Sequence, residues 1–81
     1  MSHSSGPDNL IKMANQIGAF FDSYTDRELA RKEVAKHLSN FWDPRMRRSI
    51  LAYEAEHKTD NALIPLVREA LGTLPPPPAN N

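Results

Sequence analysis

The chain has 81 residues, no cysteine, and ten Lys and Arg against ten Asp and Glu, so its formal net charge is zero. That length holds one domain with a thin core, because so short a chain buries only about 60% of the surface it exposes when unfolded. The lack of cysteine excludes disulfide staples and thiolate metal sites and fits a reducing cytoplasm, while the charge balance argues against a general nucleic-acid binder, which needs a basic excess.

The opening MSHSSGPDNL has no apolar run. Residues 1–8 are therefore expected to be a flexible start, neither a secretory signal nor an anchor. From Leu10 onward, Met13, Ala14, Ile17, Phe20, Phe21 and Tyr24 recur at steps of three and four, which predicts one apolar stripe on a first helix. Pro7 and Asp8 suit its N-terminus, by fixed φ and by the helix dipole. Gly18 within the pattern costs about 1 kcal/mol against alanine, and one use for it is close approach of another backbone.

Asp22-Ser23-Tyr24 closes this element, and Thr25 with Glu28 has the spacing of a capping box that opens a second helix. Its inner face is expected to carry Ala30, Val34, Leu38 and Phe41, and Trp42 to end it. Asp43-Pro44 is both a stop and a start. Proline disfavours the α conformation at Asp43, yet Asp43 as N-cap and Pro44 as first helical residue make a strong opening. A third helix is predicted from Pro44 to about His57, with Met46, Ile50, Leu51 and Tyr53 or Glu54 along its inner edge.

Lys58-Thr59-Asp60-Asn61 reads as a loop, Pro65 opens a short helix through Leu71, and Gly72 is its expected stop. Residues 73–81 form a proline-rich tail whose LPPPPANN predicts an extended polyproline II segment and a solvated end. Strand patterns, internal repeats and apolar runs approaching the roughly 20 residues of a membrane span are missing. The expected class is all-α: a small bundle of three helices plus a short fourth within residues 9–72.

No local pattern joins His3, His37 or His57 to a nucleophile, and Glu54 and Glu56, two apart on a helix, point away from each other. HExxH, Cys-His and EF-hand patterns are missing, and Gly6, Gly18 and Gly72 are too scattered for a phosphate-binding loop. No catalytic, cofactor-binding or metal-binding residue is therefore predicted.

What remains is the corner Phe41, Trp42, Asp43, Pro44, Arg45, Met46, Arg47 and Arg48. Phe41 and Trp42 either fill the core where two helices meet or anchor an interface, and one can face in while the other faces out. The arginines lie in the first turn of a helix, where the dipole disfavours cations. They form either a solvated basic face or guanidinium forks for carboxylates, carbonyls or phosphates, with Arg45 and Arg48 on one face and Arg47 pointing elsewhere. The corner also sketches a helix-turn-helix, but its turn is tight, flanking basic residues are missing and the net charge is zero.

LIKMANQIGAFFDSY at 10–24, HLSNFWDPRMRRSILAY at 37–53 and PLVREAL at 65–71 together resemble the delta subunit of NAD-dependent formate dehydrogenase, over roughly residues 9–72. FWDPRMR is the most specific block. The resemblance implies a small cytoplasmic, cofactor-free companion of a soluble molybdenum or tungsten enzyme. In that enzyme the alpha subunit holds a bis-pterin metal cofactor and iron–sulfur clusters, and the beta and gamma subunits carry FMN and further clusters to reduce NAD. It further implies that the chain binds the alpha subunit and supports assembly, stability or molybdenum-cofactor insertion, either as a resident subunit or as a transient maturation chaperone. The chain departs from the family pattern before PLVREAL, where Asn61-Ala62-Leu63-Ile64 stands in place of a glycine-rich loop and an acidic cap.

Overall fold

The structure, a computed structural model, describes residues 7–74. Four helices follow one another: α1 Pro7–Phe21, α2 Arg27–Phe41, α3 Pro44–Glu56 and α4 Pro65–Thr73. The described residues contain no strand, in keeping with the all-α expectation. The expectations for the first six residues and for the proline run lie outside the described residues.

Local chemistry explains most of the helix ends. Asp43 adopts an extended conformation (φ −76°, ψ 165°) and its Oδ1 accepts the Met46 N–H at 2.9 Å, with Pro44 as the first helical residue. The start of α2 is different from the one expected. Asp26, not Thr25, is the N-cap, and its Oδ1 accepts from the Leu29 N–H at 3.2 Å. Aspartate caps at least as well as threonine and adds a negative charge at the positive end of the dipole, so the helix begins one residue later than the Thr25–Glu28 box implies. Gly72 is also not a stop. It lies inside α4, whose last turn is closed by the Thr73 hydroxyl donating to the Ala70 carbonyl at 2.7 Å and by the Leu74 N–H donating to Leu71 at 3.2 Å.

The core is built from Ala14 and Phe21 of α1, Ala30, Val34 and Leu38 of α2, Ile50 of α3, and Leu66, Val67, Ala70 and Leu71 of α4, with Trp42 and Leu63 closing it from the connections. No polar or charged side chain is buried among the described residues. A helix as short as α4 is marginal alone in water, so it depends on this apolar stripe, which packs mainly against α2. The apolar stripes are narrower than the periodicity implies. Phe20, Tyr24 and Phe41 were expected inward, but Phe20 is 68% and Phe41 72% exposed, and Tyr24 is exposed as well. Phe20 and Phe21 are adjacent on a helix and lie on different faces, one out and one in, while Phe41 ends α2 facing out and Trp42, in extended conformation just after it, goes in.

Gly18 is where α1 meets the entry to α4. A Cβ there would stand 2.5 Å from Val67 Cγ2 and 2.8 Å from Ile64 Cδ1, so the close approach is to side chains rather than to a backbone. The loop before α4 is held by side chains in place of a glycine-rich turn. Asn61 Oδ1 accepts the Leu63 N–H, and its Nδ2 donates to Glu54 Oε1 and to the His57 carbonyl, all at 2.8 Å. Arg68 Nε donates to both Glu54 oxygens at 3.0 and 3.2 Å, and Tyr53 Oη accepts the Ala62 N–H at 2.8 Å. Ile64 caps α4 without a side-chain bond of its own.

Candidate partner-binding groove

The corner between α2 and α3 divides the sequence-predicted site residues into two groups. Trp42, in extended conformation, ends α2 and is 5% exposed, so it belongs to the core. Asp43 and Pro44 are occupied in starting α3. Arg47 turns back: its Nη1 donates to the Trp42 carbonyl and, at 3.3 Å, to the Ser39 carbonyl. A guanidinium on the last carbonyls of α2 satisfies orphan acceptors at the negative end of that helix. Phe41, Arg45 and Arg48 are exposed, and Met46 is half-buried.

Phe41 and Met46 also border something the sequence did not disclose. Between α1, α2 and the start of α3 lies an open groove of about 510 Å³. One wall is Met13, Gln16, Ile17 and Phe20 of α1, the other is His37 and Phe41 of α2, and Met46 closes one end. Phe21 and Trp42 line it from the core side. The His37 ring stands 4.8 Å from the Phe41 ring and 6.1 Å from Phe21, centroid to centroid. Phe20 and Phe21 meet edge to face at 4.9 Å. The walls are therefore hydrocarbon, aromatic and thioether, with Gln16 and His37 as the polar lining groups. Methionine fills irregular contacts well, and such surfaces adapt to a partner.

The described residues contain no group of three or more His, Cys, Asp or Glu that could hold a metal ion. His57, at the end of α3, stacks on Tyr53 at 4.3 Å. None of the described helices is long and apolar enough to cross a membrane.

A comparison with protein families matches residues 9–71 to the family described as NADH-dependant formate dehydrogenase delta subunit FdsD. The chain belongs to this family. Comparisons with curated proteins and with solved structures gave no match. The delta subunit is thus a component of a formate dehydrogenase, and its most family-like blocks have legible structural uses. In MANQIG, Ala14 is core, Asn15 holds the loop before α4 and Gly18 admits Val67 and Ile64. In FWDPRMR, Trp42, Asp43, Pro44 and Arg47 build the corner. Gln16, Phe20, Phe41 and Arg45 are exposed and have no comparable internal duty, and three of these four line the groove, joined there by Met13 and Met46, which are half-buried against the core. The apolar periodicity placed Phe20 inward; the signal against that was a stripe of seven apolar residues, more than one face of a helix can bury.

Proposed function

We propose that the delta subunit is a non-catalytic accessory subunit that docks on the large alpha subunit through this groove and the exposed Arg45 that precedes its lining Met46, and so supports assembly, stability or metal-cofactor insertion. The observation that carries the reading is the pairing of two phenylalanines, 68% and 72% exposed, across an apolar groove on a chain with a thin core. Contiguous exposed apolar surface of this kind marks an interaction site. Burying the exposed part of each ring contributes about 1–2 kcal/mol. That sum alone does not reach nanomolar affinity once the cost of association is met, so neighbouring polar groups such as Arg45 must share in binding.

In this reading the metal cofactor, the iron–sulfur clusters and FMN belong to the alpha, beta and gamma subunits, and the chain works beside them in the cytoplasm. Its own residues position a surface; they move no proton or electron. A role in DNA binding is disfavoured by the zero net charge and by Arg47, which is turned onto α2 rather than outward.

Co-expression with the formate dehydrogenase subunits, followed by size-exclusion chromatography and metal analysis of the alpha subunit, tests the proposal. Co-migration with a metal-loaded enzyme identifies a resident subunit. A metal-poor enzyme in its absence, without co-migration, identifies a transient maturation factor. An enzyme that assembles and loads metal equally well without the chain overturns the reading.

A further inference from the structure

Resting on that reading of the groove as the docking face, we infer that its occupant is an amphipathic helix of the partner subunit, which lays apolar side chains spaced three and four apart between Phe20 and Phe41 and presents a carboxylate to Arg45. Recognition of an extended peptide by strand addition needs an open sheet edge, and the described residues contain no strand. A polyproline II peptide leaves its backbone carbonyls unsatisfied and needs donors along its track. The groove offers few: Trp42 is 5% exposed, both exposed rings are phenylalanine, and Gln16 and His37 are the polar lining side chains. A helix satisfies its own backbone, so apolar walls suit it without polar partners.

Charge selects the flank. No Asp or Glu lines the groove, and the first turn of α3 carries no acid. Arg45 is exposed there, at the positive end of the α3 dipole, where a surface evolved for solvent alone would hold an acid. Arg48 lies one turn further along and is also exposed. Asp43, the nearby acid, has its Oδ1 on the Met46 N–H. Arg45 immediately precedes Met46, which lines the groove, so the helix start beside it is positive both by side chain and by dipole and complements a carboxylate, which the guanidinium takes in a forked, two-bond geometry.

The test uses the full chain co-expressed with the formate dehydrogenase subunits, with a photo-crosslinking phenylalanine analogue in place of Phe20, of Phe41 or, as a control on another face of α2, of Lys32. Cross-links from Phe20 and Phe41 should converge on one segment of the alpha subunit with apolar residues three and four apart and an Asp or Glu within one turn. Arg45→Glu should weaken association about 30-fold, the size of one hot-spot contact. Arg45→Gln should lose less, and exchanging the partner's carboxylate for lysine should restore binding to Arg45→Glu. Capture of an extended segment, of one without acids, or of a second copy of this chain would overturn the inference. Cross-links from Lys32 with silence from Phe20 and Phe41 would overturn it while leaving the chain an accessory subunit that binds by another face. A chain that gives no cross-link to the enzyme and whose omission leaves assembly and metal loading unchanged overturns both.

Discussion

Asn15 holds Ile64 in place: Asn15 Oδ1 accepts the Ile64 N–H at 2.9 Å, while Asn15 Nδ2 donates to the Ala62 carbonyl at 2.9 Å. One amide from the middle of α1 thereby pairs with two backbone groups 47 and 49 residues away, at the point where the chain enters α4. The missing side-chain cap of α4 and the missing glycine-rich loop have the same explanation, since α1 supplies the contacts that a local turn would otherwise make. Asn15→Ala should cost about 1–3 kcal/mol, because a half-buried donor and its neighbouring carbonyl lose their partner together. Asn15→Asp, which keeps the acceptor and loses the donor, should cost less. Urea unfolding of the three proteins checks the order.

Gly18 and Val67 set a steric limit beside that clamp. Gly18→Ala gains about 1 kcal/mol of helix propensity but forces Cβ to 2.5 Å from a methyl of Val67, which is fully buried and β-branched, with little freedom to turn aside. Overpacking of this kind costs about 1–3 kcal/mol. The net effect should be a lower melting temperature for Gly18→Ala, and Gly18→Leu should fail to pack α4 at all, which near-UV circular dichroism would register.

The two ends of the fold differ in how much of them could be read from residues alone. Helix number, the Asp43-Pro44 corner and the inward Ala30, Val34 and Leu38 of α2 and Ile50 of α3 follow from short-range rules, since capping, proline sterics and periodicity act within a few residues. Asn15 was opaque and Gly18 only half legible for the opposite reason: their partners, Ala62, Ile64 and Val67, are more than forty residues away, and a glycine that signals a close approach does not say what approaches. The groove was half legible. FWDPRMR singled out Phe41 and Met46, but the second wall comes from α1, where Phe20 looks like an ordinary core residue until Phe21 is seen to take the inward place, and where Met13 both packs against the core and lines the groove.

The arginines of the corner should separate in experiment as they do in space. Arg47→Ala removes the donor to the Ser39 and Trp42 carbonyls and should cost about 1–2 kcal/mol of stability. Arg45→Ala, at an exposed position, should change stability by no more than about 0.5 kcal/mol. Pull-down of the alpha subunit should give the reverse order at protein concentrations where both variants are folded, with Arg45→Ala the weaker binder.

Glu69 makes the stability depend on acid. It accepts from Arg27 at 3.0 and 3.2 Å and from Arg31 at 3.2 Å, which ties α4 to the start of α2, and Arg27 also reaches Asp22 at 2.9 Å. The Arg27 hydrogen bond, followed by the charges of Arg27 and Arg31, holds the Glu69 carboxyl below its ordinary value. A depressed folded pKa contributes stability that is present above the unfolded value and is lost as the pH falls through the folded one. The urea midpoint should therefore decline on acidification below the ordinary carboxylate range, and Glu69→Gln should flatten part of that decline. The difference between the two proteins at neutral pH should shrink in 1 M salt, because the groups are exposed and screened.

Phe41 and Trp42 are neighbours in sequence with opposite fates, and their alanine variants should show it. Trp42→Ala empties a site that is 5% exposed and should cost about 3–5 kcal/mol. An 81-residue domain at about 0.05–0.15 kcal/mol per residue holds about 4–12 kcal/mol, so this loss removes from about a quarter to all of its stability. Phe41→Ala removes a ring that is 72% exposed and touches mainly His37, and the isolated chain should keep its urea midpoint. Its defect should appear in the complex, as reduced recovery of the chain with the alpha subunit. A Phe41→Ala protein that is unfolded in isolation would mean that the ring is a core residue and the groove a packing gap; one that is folded and binds undiminished would remove Phe41 from the interface.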